Sequence, residues 1–226
     1  MKPIGIAVLS LLLAASSALA QAGAAGRYPV IPRSLPDSEE ILLARSAAPA
    51  EVSAGASVYA VREGKPHVLR AGTNGCACMV ARDLHEGSFY PICFDVEATK
   101  SVLPRELMEL GLRSLGRSEE DVIRAVDSAY QRGTLRPPAK LALAYMMSSR
   151  QVLFSSPLRE GQRVGPWHPH IMLYVPDATP EQLGLLADSR VSAIAVGAPG
   201  TKRAEIIIRV PAWADAPGSG GASVAP

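Results

Sequence analysis

The sequence predicts an α+β fold: a single domain over residues 37–210, with a mostly antiparallel sheet covered by a central helical hairpin. Three observations carry that prediction. Residues 58–94 read as strands, residues 103–131 switch to helical spacing, and strand signals return from residue 141. Neither strand block alone supplies cover for both faces of its sheet, so the two blocks belong together.

Asp37 followed by Glu40 has the spacing of a helix cap and its reciprocal partner, opening a short helix through about Ala44 to Ser46. Val58–Arg62 and His67–Arg70 then flank Glu63-Gly64-Lys65-Pro66, a hairpin turn. Ala71-Gly72-Thr73-Asn74-Gly75 is a second turn cluster, because Asn-Gly readily supplies positive φ. Cys76–Ala81 and Phe89–Phe94 are two more strands, joined by the polar loop around Arg82–Ser88.

In the helical stretch, Leu103, Leu107, Leu110 and Leu115, with Met108 and Leu112 alongside, form one apolar stripe that Gly116 ends. Ser118 with Asp121 caps the next helix, which Gly133 stops after Val122, Ile123, Val126, Ala129 and Tyr130 have lined one face. The pair Arg105–Leu115 and Glu119–Gln131 has the outline of a helix-turn-helix, but export and near-neutrality argue instead for a packed hairpin over the sheet. Arg136-Pro137-Pro138 is an extended connector. Strands follow at Leu141–Met146, Gln151–Phe154 and His170–Val175. Thr179-Pro180-Glu181-Gln182 signals a helix start. Val191–Val196 and Glu205–Val210 close the sheet.

The N-terminus reads as a secretory signal peptide over residues 1–20. Lys2 gives the charged start, Ile4–Leu13 is apolar except for Gly5 and Ser10, and Ala18-Leu19-Ala20 forms the cleavage site before Gln21. The apolar run is shorter than the ~20 residues of a spanning helix. The expectation is therefore a periplasmic or secreted protein with no membrane insertion after cleavage. Residues 21–36 read as a flexible N-terminal segment. Residues 211–226, rich in Gly, Ala, Ser and Pro, read as a flexible tail.

Lys2 is the only charge in the leader, which leaves 22 basic against 21 acidic residues in the 206 that follow. That balance carries no footprint for nucleic acid. Aromatic residues make up 5% of the chain, so the core is aliphatic.

Cys76, Cys78 and Cys93 are an odd set for an oxidising compartment. If the two middle strands form a hairpin centred on His85-Glu86, opposed residue numbers sum to about 171, which pairs Cys78 with Cys93. Cys76 is offset by a diagonal step and is left as a buried thiol. The competing reading is a Cys-x-Cys redox or metal site formed by Cys76 and Cys78.

Trp167-His168-Pro169-His170 is the main polar cluster. In extended chain His168, His170, Met172 and Tyr174 share a face, which suits the rim of a ligand pocket. Zinc needs a further ligand; His67 and His85 are isolated, and no H-E-x-x-H or paired C-x-x-C occurs. No G-x-S-x-G elbow, Walker loop or G-x-G-x-x-G is present either, and nothing calls for a cofactor or metal.

Leu43 to Ser53, Gly72 to Gly75, Cys78 and Cys93, Ala144 to Ser148, and Pro169-His170 resemble a family of uncharacterised exported bacterial proteins. The resemblance spans roughly residues 37–176. It implies an extracytoplasmic role and the Cys78–Cys93 pair. The family usually has an aromatic residue where this chain has Cys76, which speaks against a family-wide Cys-x-Cys site. Asn74, Asp95, Tyr145 and His170 fall in or beside the matching segments and, with His168, are the ligand-binding candidates. The function expected is a non-catalytic domain binding a small ligand or an envelope protein. The alternative is an envelope hydrolase using His170 with a carboxylate such as Asp95.

Overall fold

The computed structural model describes residues 34–83, 88–151, 153–154, 163–164, 168–184 and 194–215. The signal peptide, most of the N-terminal segment, His85, Trp167, the start of the strand predicted at Val191 and residues 216–226 lie outside the described residues.

The strands are β1 (Ser57–Arg62), β2 (Lys65–Arg70), β3 (Ala77–Asp83), β4 (Ser88–Phe94), β5 (Leu143–Met146), β6 (Leu153–Phe154), β7 (Arg163–Val164), β8 (His170–Tyr174), β9 (Ile194–Gly197) and β10 (Glu205–Arg209). The helices are α1 (Asp37–Arg45), α2 (Ala50–Ser53), α3 (Val96–Ser101), α4 (Leu103–Ser114) and α5 (Glu119–Gln131). Eight strands form one sheet in the order β2-β1-β3-β4-β5-β8-β10-β9, and β6 pairs with β7 separately. Among the described residues only β1 and β3 run parallel, so the α+β class with a mostly antiparallel sheet holds.

The centre of the sheet is the β3–β4 hairpin. Its register pairs Cys78 with Cys93, Met79 with Ile92 and Ala77 with Phe94, as the predicted sum requires. The Cα atoms of Cys78 and Cys93 lie 4.0 Å apart and the two are disulfide-bonded. Alternation then divides the side chains. Ala77, Met79, Ile92 and Phe94 pack under Leu103 and Leu110 of α4. Cys78, Val80 and Cys93 pack under Leu43 and Ala44 of α1. Both faces are covered here, which explains why these strands read as apolar runs and not as a clean alternation.

Helix α1 forms where predicted but for a different reason. Pro36 is its N-cap, with no side-chain capping bond. Asp37 instead pairs with Arg62 of β1, and buried Glu40 takes a two-point hydrogen bond from Arg82 of β3, at 2.7 Å for Nη1–Oε1. The guanidinium of Arg82 also lies over the Phe89 ring, 5.3 Å from its centroid. The acids read as a capping box are thus ion pairs that fix the helix on the sheet.

Other departures are local. Of the predicted helical pair, α4 lies on the sheet, while α5 packs on α4 through Val126, Ala129 and Met108. The Ser118 cap forms, accepting from Asp121 N at 3.2 Å. Thr179 and Gln182 exchange the predicted capping bonds, and the described residues follow as turn as far as Gly184. The segment assigned to a tail from residue 211 is tied down at first: Asp215 accepts from Ser148 Oγ at 3.0 Å and Ser149 N at 2.9 Å.

The β1–β2 turn places Glu63 at φ 52° and Gly64 at φ 75°, the type I′ geometry that suits a two-residue hairpin. Arg62 and Lys65 flank it as the hydrogen-bonded pair, so Pro66 turns its nitrogen away from β1 at the edge of the sheet. Among the described residues, no helix is long and apolar enough to cross a membrane.

Replacing Cys78 and Cys93 by alanine should lower unfolding free energy by roughly 3 kcal/mol, measured by urea titration. Cys76 is buried, and burial followed by the Asp95 charge raises its thiol pKa. Iodoacetamide at neutral pH should leave it unmodified in the native protein and label it once in denaturant.

Candidate functional site

The five candidate residues separate into two groups. Asn74 donates to Val52 O at 2.8 Å and accepts from Cys76 N at 3.1 Å, so it binds the β2–β3 loop to α2. Asp95 is the N-cap of α3, accepting from Ala98 N at 2.7 Å. Tyr145 stands opposite Cys93, half-buried, its hydroxyl pKa raised by burial and then by the Asp95 and Cys76 charges. These three, with Cys76, share one neighbourhood on the α1 side.

His170 is elsewhere. It pairs with Met146 in register, so it points to the opposite face from Tyr145, on the side of Met172 and Tyr174. It is 1% exposed, and its Nδ1 lies 2.8 Å from the His168 carbonyl. A carbonyl only accepts, so Nδ1 carries the proton. Burial, outweighing that hydrogen bond, lowers the imidazole to about 4, and it is neutral at pH 7. His168 is exposed and its carbonyl also receives Gln151 Nε2 at 3.3 Å. The fold therefore joins Asn74, Asp95 and Tyr145 but does not join them to His170. Among the described residues, no group of three or more His, Cys, Asp or Glu side chains could hold a metal ion.

Two features escaped the sequence reading. The first is a charged cluster between α4 and the strands β8 and β10. Arg105, Glu106 and Glu109 are all buried. Arg105 pairs with Glu106, lies 3.6 Å from Glu109 through Nε, and sits 5.5 Å from the Tyr174 ring centroid. Arg113 and Arg203 reach Glu109 at 3.4 Å and 3.9 Å. Glu205, opposite Tyr174 in register, faces the same group. Desolvation is the largest influence on its carboxyl; Glu106 and Glu109 add to it against Arg105 and Arg203, and the pKa is pushed up to about 7.

The second is an apolar groove of about 560 Å³ between α4 and the β1–β2 hairpin. Tyr59 and Pro66 form one wall. Leu103, Leu107, Leu112 and Leu115 form the other, and Thr99 of α3 also lines it. No lining residue carries a formal charge. The two walls meet where the Gly64 turn sits on Gly111: a Cβ at Gly111 would lie 2.7 Å from Gly64 O. The apolar stripe of α4 is thus wider than the core requires. Leu110 goes inward, while Leu107, Met108 and Leu112 are left half-exposed along the groove.

Comparison of the chain with protein families, with curated proteins and with solved structures finds no match.

Glu205, partly buried, and His170, buried, should oppose one another in stability. Glu205 keeps its proton on folding, so stability is lost as pH rises from about 4.5 to about 7. His170 stays neutral on folding, so stability is lost as pH falls from about 6.5 to about 4. In urea titrations, Glu205→Gln should gain on the wild type as pH rises through the first window. His170→Asn should gain as pH falls through the second. Each slope has a limit of about 1.4 kcal/mol per pH unit, and that of half-exposed Glu205 is the smaller.

Proposed function

We propose that this chain is an exported, non-catalytic binding domain that takes a small apolar molecule in the groove between α4 and the β1–β2 hairpin. The groove is the observation that carries the reading: its volume falls within the range of small-molecule sites, and its walls are aliphatic with few polar groups. Its position between rigid elements, a helix and a hairpin braced against each other at Gly111 and Gly64, suits a preformed site. Export is supported by the N-terminal signal pattern and by the Cys78–Cys93 disulfide, which persists in oxidising compartments.

A hydrolase built on His170 has less support. The imidazole is buried and neutral at pH 7, Asp95 is engaged as a helix cap, and Tyr145 faces the other side of the sheet.

The neutral fluorophore Nile red should bind saturably, with a blue-shifted emission. Leu112→Glu places a charge in the groove without disturbing the buried core, and should weaken binding by at least about tenfold. His170→Asn should leave the titration unchanged. Loss of binding in His170→Asn together with retention in Leu112→Glu would move the site away from the groove.

A further inference from the structure

The lining of the groove narrows the class of molecule it accepts. The lining residues of α4 run from Leu103 to Leu115, a rise of ~18 Å, and the walls close together at Gly111, so the groove is narrow along the helix and suited to a linear chain. No Lys, Arg or His lines it, so an anionic head group would lose hydration without meeting a cation. Two lining side chains carry hydroxyls. Thr99 Oγ1 already donates to Phe94 O at 3.3 Å. The Tyr59 hydroxyl makes no hydrogen bond among the described residues, which leaves it as the side-chain donor the groove can offer.

We propose that the ligand is an uncharged linear acyl chain bearing one neutral acceptor, of the ester type, and that the Tyr59 hydroxyl donates to that carbonyl and selects esters over free acids. This rests on the groove being the binding site. The apolar walls take the chain and exclude water from it, while the single donor fixes which end of the groove holds the polar group. A carboxylate of the same chain length has no compensating partner there and stays in water. Tyr59 is a specificity-determining residue, and no bond in the ligand is broken.

The test displaces Nile red at pH 8 with three probes of equal chain length: methyl myristate, myristate and tetradecane. The ester should displace the dye at a concentration at least about tenfold lower than the acid. In Tyr59→Phe, which keeps the ring in its wall, affinity for the ester should fall about three- to tenfold while that for the alkane is unchanged. Equal affinity for ester and acid overturns the proposal, as does an equal loss for ester and alkane in the variant. Bound dye that no probe displaces also overturns it and leaves the groove standing as a site. Absence of dye binding to the wild type overturns the groove itself.

Discussion

The β3–β4 pairing is the constraint from which the rest of the architecture follows. Side chains on a strand alternate between faces, so a slip of β3 by one residue against β4 would turn the β3 side chains over to the opposite covers. Leu43 and Ala44 would then meet Met79 and Ala81, and α4 would meet Cys78 and Val80. The Cys78–Cys93 bridge forbids that slip, because only one register brings the two together. With this pair fixed, β1 lies parallel on one side, β5 antiparallel on the other, and α1 and α4 settle on opposite faces.

Both helices are then oriented by buried charge. Glu40 of α1 reaches Arg82 of β3, and the Arg105, Glu106 and Glu109 row of α4 meets Arg203 and Glu205 at the far strands. Removing such groups from water is costly, so the pairs contribute little net stability. They do restrict the angle and translation of each helix, since a shift would leave a buried charge without its partner. Helix α4 consequently has two unlike flanks. One is ionic and closed against β8 and β10; the other is aliphatic and forms the groove wall.

What the sequence revealed depended on whether the relevant signal was local. The β3–β4 register was legible because a hairpin has integer pairing and two cysteines fall on it. The Ser118 cap was legible because its partners are three residues apart. Asp37 and Glu40 misled because capping and ion pairing use the same residue type, and the partners Arg62 and Arg82 lie on other elements. The Thr179 signal was legible for the same reason as the Ser118 cap, its capping partner Gln182 lying three residues on. The charged row of α4 resembles a solvated face in one dimension. Its burial depends on Tyr174, Arg203 and Glu205, which arrive some seventy to a hundred residues later. The groove was invisible for the same reason, being assembled from residues 59–66 and 99–115.

The hairpin edge formed by β2 bears on how copies of this chain behave at high concentration. An exposed strand invites another chain to continue the ladder. Here the outward position nearest the turn is Pro66, which has no hydrogen to offer, and exposed Lys65 adds a charge beside it. The two-residue turn determines which backbone groups face outward, so the proline meets any incoming strand at the point where pairing would start. The turn that closes the hairpin thereby also caps the growth of the sheet, and this margin is guarded against fibrillar self-association by a covalent ring instead of by a covering helix.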